Sequence, residues 1–285
     1  LEIKNLEKEY YSEKIAEIEY HGARLDREKA RRYMDITDQL LAELKESLFS
    51  SAGKQFNMSS SAKDVEKILF TDMGFSPVKH TNSGRPSTDK ESLKALYDKY
   101  DDPFLENLVA YREIEKVRNT YFKNWLADSA YDGRVRFSLE QHGTVTHRLS
   151  SDGGLQNAPA RLDRASIGVK DLFIPDSEEM EFYDLDIANA EMRVLCAYSG
   201  DQALIDAFKN DKDFHSLTAA GISDYSYEKI LACKEDKTSK EYQLRQLGKK
   251  INFGTVYAIG PKGLGKQLWS ENRMQVSEEE AKEYL

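Results

Sequence analysis

The amino-acid sequence predicts an α+β fold, and three observations predict it. Apolar residues recur at helical spacing from Asp26 to Leu126. From Gly133 the pattern becomes alternation, with Val135, Phe137 and Leu139 on one side and Arg134, Arg136 and Ser138 on the other. Beyond Asp186 helical spacing returns, with Ile187, Ala190, Val194 and Ala197 forming an apolar stripe. At 40% hydrophobic and 32% charged residues, the 285-residue chain has the composition of a folded protein with room for more than one domain.

The net charge of −9 means that any nucleic-acid contact must come from local basic surface, not from a global field. Cys196 and Cys233 have neither metal-type spacing nor a disulfide framework, as suits a reducing cytosol. No apolar run approaches the ~20 residues of a membrane span, and no secretory signal opens the chain. A cytoplasmic protein without a membrane partner is therefore expected.

The elements follow in order. Residues 1–20 alternate Glu and Lys around Leu6, Tyr10, Ile15 and Ile18, a charged surface helix. His21-Gly22-Ala23 interrupts it. A second helix runs from about Asp26 to Phe49, with Leu40, Leu41, Leu44 and Leu48 inward. A polar break from Ser50 to Ser61 precedes a helix through Val65, Ile68 and Leu69, and a loop follows from Gly74 to Ser87. Thr88 and Glu91 have the spacing that caps the next helix, which Asp101-Asp102-Pro103 ends. A long helix then spans Phe104 to Leu126, with Leu105, Leu108, Ile114 and Val117 inward. At the far end Ser277 and Glu280 form a capping box shortly before Leu285, and Leu1 is not a methionine. The sequence thus reads as a fragment interrupted at both ends.

Three stretches carry chemistry. The first, Thr144 to Asn157, is dense in Arg, Thr, Ser, Gln and Asn. It is either a polar loop between strands or a surface for phosphate, sugar and minor-groove base edges. In the second, Phe182, Tyr183 and Leu185 form a β-prone run around Asp186 before the helical stripe begins. Asp186 therefore stands at a strand-to-helix junction, either capping the helix or offering a carboxylate to a cleft. The third, Arg245 to Lys266, holds five basic residues and no acidic one. Arg245, Lys249, Phe253 and Tyr257 are each four apart and share one helix side, while Leu244, Leu247 and Ile251 line another. Cations for a triphosphate followed by rings that stack on base or sugar explain that mixture; a basic face with two tucked aromatics is the plainer alternative. A competing motif is Gly260 to Lys266, a near-match to the phosphate-cradling loop of NTPases. Gln267 stands where that loop needs a hydroxyl, and the preceding segment reads as helix, not strand.

Read together, these stretches resemble the polymerase domain of family A DNA polymerases, the bacterial DNA polymerase I type and its phage relatives. Gly133 to Arg161 is similar to the family's template-primer segment, Tyr183 to Asp201 to its motif A, and Arg245 to Tyr257 to its motif B. Weaker similarity runs back through Arg85-Pro-Ser-Thr88 and Tyr111-Arg112-Glu113 to Gly22-x-Arg-Leu-Asp26.

The resemblance implies a right-hand architecture. Residues 1–24 would be an N-terminal palm segment, 25–128 a helical thumb, 129–186 palm strands of a partial antiparallel sheet, and 187–285 helical fingers. It implies template-directed addition of dNTPs to a primer 3′-hydroxyl with two Mg²⁺ ions, in a bacterial cell or a phage-infected host. Asp186 is the implied catalytic residue and binds metal with the Ile187 carbonyl; Asp184, on the same strand face, reads as a solvated neighbour. Arg245 and Lys249 would bind the incoming triphosphate with His215 nearby in the dNTP site, Phe253 would stack on the sugar, and Tyr257 would sit at the templating base. Glu191 would exclude a 2′-hydroxyl, and Asn189 joins the implied dNTP site. Arg148, Gln156, Asn157, Arg161, Thr144 and Ser150 would contact primer-template DNA.

Ile187, His147, Gln246 and Ala258 depart from the family pattern and bear on selectivity rather than on reaction type. The family's second metal aspartate lies in a His-Asp motif past motif B that these residues do not include. Little polymerase activity is therefore expected of the isolated chain. A processivity factor or a second polymerase fragment would be a further partner, and a non-catalytic DNA-binding fragment or split-polymerase subunit is the main alternative.

Overall fold

The computed structural model describes residues 12–59, 63–141, 143–145, 148–152, 154–272 and 276–284. The chain divides into two compact units, Leu1–Tyr183 and Asp184–Leu285. Helices dominate both, with small antiparallel ladders in the first, which is the α+β class the sequence predicts.

In the first unit, helix α1 (Glu13–His21) ends at Gly22. A Cβ at Gly22 would stand 2.6 Å from the Val135 carbonyl oxygen, and its φ is 64°, so only glycine turns the chain here. Strand β1 (Ala23–Arg24) then pairs antiparallel with β2 (Arg134–Val135). Leu6 and Tyr10 of the expected first helix lie outside the described residues.

Helix α2 (Arg27–Ala52) starts where the Asp26 carboxylate accepts the Lys29 N–H at 2.9 Å. Such a cap contributes about 1 kcal/mol. Leu44 and Leu48 are buried in two separate clusters, and Leu40 and Leu41 pack against the one that holds Leu44. Helix α3 (Lys63–Lys67) widens into a π-type turn over Ile68–Asp72 that buries Val65, Ile68 and Leu69. Helix α4 (Lys90–Tyr100) is capped by Asp89, whose carboxylate accepts from Ser92 N at 2.8 Å, and not by Thr88. Asp89 carries the extended backbone of a cap, whereas Thr88 is buried one residue too early. Asp102 caps α5 (Pro103–Lys116), which runs on through Val117–Phe122 into α6 (Lys123–Asp128). Leu105, Leu108, Ile114 and Val117 are buried as predicted.

Fully buried Trp125 sits against Tyr121 and Phe173, with ring centroids 5.3 and 4.9 Å away, and ties α6 to the ladders. These are β1–β2, β3 (Leu139–Glu140) with β4 (Ser150–Ser151), and β5 (Arg161–Leu162) with β6 (Ile167–Gly168), all antiparallel. The alternation holds in part: Val135 is buried, Phe137 and Leu139 are half-buried, and Arg136 and Ser138 are exposed, but Arg134 is half-buried because it pairs with Asp176.

The second unit comprises α7 (Ala190–Ser199), α8 (Gln202–Lys209), α9 (Phe214–Gly221), α10 (Tyr227–Ala232), α11 (Lys240–Val256), α12 (Pro261–Asn272) and α13 (Glu278–Tyr284). Leu247, Ile251, Leu264, Leu268 and Ala281 form one core, and Met192, Ala207 and Phe214 another. The predicted capping box is present: Ser277 Oγ accepts from Glu280 N at 3.1 Å, and Glu280 Oε2 accepts from Ser277 N at 2.8 Å.

Two expectations around Asp186 are corrected. Residues 181–187 join no ladder among the described residues, so the palm strand predicted to end at Asp186 is an irregular segment there. Its apolar side chains face solvent, Leu185 at 92% exposure. The stripe of Ile187, Ala190, Val194 and Ala197 is exposed as well, and α7 instead buries Met192 and Cys196. Spacing identified the helix, but α7 carries apolar residues on both sides, and the side that meets Ala207 and Phe214 is the buried one. Among the described residues no helix is long and apolar enough to cross a membrane.

Candidate functional site

Helix α11 sets the site. The Ser239 hydroxyl starts it by accepting from Tyr242 N at 3.0 Å, and its inward side buries Leu247 and Ile251. That fixes its rotation and leaves Lys249 exposed, with Arg245 and Phe253 half-buried. Tyr257, at the C-terminal cap, is 56% exposed.

Gly248 presses α11 against α9. A Cβ there would collide with the His215 carbonyl oxygen and come within 2.9 Å of Ala219 N, so the backbones touch where a side chain would part them. The close approach brings Asp213, the α9 cap, to Arg245. Arg245 Nη2 donates to Asp213 Oδ2 at 2.7 Å and Nε to Oδ1 at 3.2 Å, while Ser216 N donates to Oδ1 at 2.7 Å. Burial works against an ionised Asp213, but the guanidinium and the Ser216 amide outweigh it and hold the carboxyl below its usual range. The bidentate pair locks the Arg245 fork in one orientation. Sequence reasoning missed Asp213; its place directly before Phe214-His215 at a helix start was the available signal.

His215 lies under the same face. Burial, reinforced by the nearby Arg245 and Lys249 charges against the opposing pull of Asp213, lowers its pKa to about 4. Asn252 Nδ2 donates to His215 Nδ1 at 3.1 Å, which favours the neutral ring protonated at Nε2. The Phe253 ring is tilted against it at 5.8 Å between centroids. Asn252, the second residue missed, is itself held by the Thr218 hydroxyl at 2.8 Å.

At the other end of the stripe, Tyr257 Oη donates to Glu191 Oε1 at 2.5 Å, joining the end of α11 to the first turn of α7. Arg193 Nε donates to the Ala188 carbonyl at 2.9 Å and its guanidinium lies 5.0 Å over the Phe208 ring. Asn189 precedes α7 in a left-handed conformation (φ 54°), and its side chain makes no cap bond.

Asp186 does not cap α7, so that reading is set aside. The turn is instead held by Ala190 N donating to the Ile187 carbonyl at 3.1 Å. Asp184 and Asp186 are both exposed. Carboxylate and carbonyl oxygens are the donors that Mg²⁺ takes. Among the described residues no group of three or more His, Cys, Asp or Glu side chains is close enough to enclose an ion. Asp186, Asp184 and the Ile187 carbonyl have donors of that chemistry but do not by themselves enclose an ion.

In the first unit, the Thr144 hydroxyl donates to the Arg148 carbonyl at 2.9 Å and Gln156 Nε2 to the Leu149 carbonyl at 3.2 Å. Ser150 lies in β4 opposite Glu140. Asn157 is anchored through its carbonyl, which accepts from Tyr121 Oη at 2.9 Å, and its side chain is exposed beside exposed Arg161. His147 lies outside the described residues. The NTPase-like motif is corrected: residues 261–272 are helical and α11 precedes them, so no strand-to-loop cradle forms, and Lys266 is an exposed helix residue.

Two cations and two rings thus lie along one helix of an α+β protein, with the Glu191 carboxylate at one end. The chain belongs to DNA polymerase family A, whose model matches residues 27–285. It is 32% identical over 273 residues to the DNA polymerase I of Caldicellulosiruptor bescii, a match covering 95% of this chain and 30% of that protein. With the DNA polymerase I of Bacillus subtilis it shares 33% identity over 256 residues, covering 89% of this chain and 27% of the other. The fold is similar to the POL domain of Pol1 from M. smegmatis, solved in complex with DNA primer-template and dNTP. The TM-score is 0.76 at 29% identity, covering 95% of this chain and 44% of that one. The chain thus spans about three-tenths of the curated relatives it matches.

Proposed function

We propose that this chain is part of a DNA-directed DNA polymerase and handles the incoming dNTP and the primer-template. The observation that carries the proposal is the ordered face of α11, with Arg245 held by Asp213 at one end and Tyr257 held by Glu191 at the other. Arg245 and Lys249 bind the triphosphate, and the neutral, buried His215 supports that face without adding charge. Phe253 stacks on the sugar and Tyr257 lies at the templating base. Glu191, fixed by Tyr257, is the wall against a 2′-hydroxyl, and Asn189 shapes the adjoining turn. Arg148, Gln156, Asn157, Arg161, Thr144 and Ser150 contact the primer-template duplex.

Asp186 and the Ile187 carbonyl would hold Mg²⁺, with Asp184 an exposed neighbour. When bound, the metal supplies Lewis acidity for activating a primer 3′-hydroxyl and for the pyrophosphate leaving group. The chain's own residues bind and orient the nucleotide, a contribution that can reach several kcal/mol. In this reading residues 1–24 and 129–186 belong to the palm, 25–128 to the thumb and 187–285 to the fingers, in a cytoplasmic enzyme.

Primer extension by the full-length protein carrying this chain tests the proposal. Incorporation directed by the template and reduced at least ~10²-fold by Asp186→Asn is expected, the scale of losing preorganised transition-state stabilisation. Duplex binding without extension would instead support a non-catalytic or split subunit.

A further inference from the structure

Between α9 and α11 lies a small polar network to which the proposed dNTP site gives no role. Asn252 follows Ile251 on α11 and is buried against Phe214, His215 and Thr218 of α9. Its Nδ2 donates to His215 Nδ1 at 3.1 Å and lies 3.5 Å from the Phe214 carbonyl oxygen. Its Oδ1 accepts from the Thr218 hydroxyl at 2.8 Å.

The orientation of that amide decides where the ring proton sits. The Thr218 hydroxyl also lies 3.2 Å from the Phe214 carbonyl oxygen, which defines a competing arrangement. There the hydroxyl donates to the carbonyl, the amide turns over, and Oδ1 accepts from a proton on His215 Nδ1. Turned over, however, the amide sets its oxygen against the Phe214 carbonyl, two acceptors facing each other inside the fold. The arrangement found gives that carbonyl a donor, leaves Nδ1 an acceptor and places the proton on Nε2. Among the described residues Nε2 makes no hydrogen bond, and the buried polar atoms without a partner are the Ser92, Ser151 and Ser216 hydroxyls. Nε2 is therefore reached by solvent, and the Arg245 and Lys249 charges lie close enough to act on the ring.

We propose that Asn252 is a positioning residue: steadied by Thr218 and the Phe214 carbonyl, it keeps the His215 proton on Nε2, so that the ring offers the triphosphate a donor. A lone pair in that place would repel phosphate oxygens. The inference rests on the dNTP-binding function proposed above and deepens it with two residues, Asn252 and Thr218, that act through His215.

Long-range ¹H–¹⁵N correlation spectra of the 285-residue chain near neutral pH read the tautomer directly, with His215 identified among the five histidines by the signal lost in His215→Gln. The wild type is expected to show Nε2–H alone, and Asn252→Ala a mixture with Nδ1–H. A wild type protonated at Nδ1, or an Asn252→Ala spectrum unchanged from wild type, overturns the inference and leaves the proposed function standing. Where Asn252→Ala does not fold, Thr218→Val takes its place with the same two outcomes, and Thr218→Ser, which keeps the hydroxyl, should match the wild type. Calorimetric titration with dATP then separates positioning from packing. Asn252→Ala should weaken binding about two- to fivefold, up to the worth of one hydrogen bond. In the His215→Gln background it should change nothing, because it acts through that ring. An equal loss in both backgrounds makes Asn252 a packing residue and overturns the inference. No dATP binding by the wild-type chain overturns the proposed dNTP site and the donor role with it, whatever the tautomer.

Discussion

The α9–α11 pair and the Glu181–Ile187 segment contribute to the same proposed chemistry, yet the fold treats them differently. The helix pair is self-supporting: its rotation is fixed by Leu247 and Ile251, its spacing by Gly248, and its Arg245 fork by Asp213. The segment carrying Asp184 and Asp186 has no ladder partner and shows its apolar side chains to solvent. The proposed nucleotide face is thus built into local packing. The carboxylate position draws on little within its own unit.

The two regions should respond oppositely to substitution. The largest effect is expected at Asp186. Asp186→Asn removes a metal ligand, so extension falls by orders of magnitude while stability stays within about 0.5 kcal/mol, as for other exposed sites. Thermal unfolding measured beside the rate checks both halves; a large loss of stability would mean that the segment is built into the fold after all.

Gly248→Val should do the reverse. Forcing a side chain between α9 and α11 costs about 1–3 kcal/mol in overpacking and misplaces Arg245, weakening dNTP binding. Denaturant unfolding of the variant reads the first effect, and nucleotide titration the second.

A smaller effect follows from His215. Its pKa is about 4 in the fold against an ordinary 6.5, so the unfolded chain takes up the proton first as pH falls. The neutral ring's contribution is complete above pH 6.5 and is lost progressively towards pH 4. With allowance for solvent screening of a partly wetted ring, that amounts to about 2 kcal/mol. His215→Gln should therefore lose less stability than the wild type between pH 6.5 and 4; equal losses would show that the ring is not held neutral. The smallest effect is expected at Lys266, exposed on α12: Lys266→Ala should leave nucleotide affinity unchanged, and a tenfold loss would revive the NTPase-like reading.

The difference between the regions also governs what the sequence revealed. Helices between Asp26 and Asp128 were legible because each buries a stripe of its own residues, such as Leu44 with Leu48 and Leu105 with Leu108. The α11 stripe was legible for the same reason, since the positions of Leu247 and Ile251 dictate where Arg245 and Lys249 point. The Asp213–Arg245 pair was not, because it joins residues 32 apart that meet through the packing of α9 on α11, which spacing along the chain does not show. The expected strand at Asp186 failed because β-prone residues specify a strand only where a partner supplies the ladder. Likewise the α7 stripe named a helix but not its buried side, since spacing cannot choose between two apolar faces.

The most direct measurement is calorimetric titration of a dNTP into the 285-residue chain without DNA. The expected result is binding that Lys249→Ala weakens and Asp186→Asn leaves intact, because the helix pair is preorganised independently of the carboxylate segment. Binding insensitive to Lys249→Ala, or lost in Asp186→Asn, would contradict it.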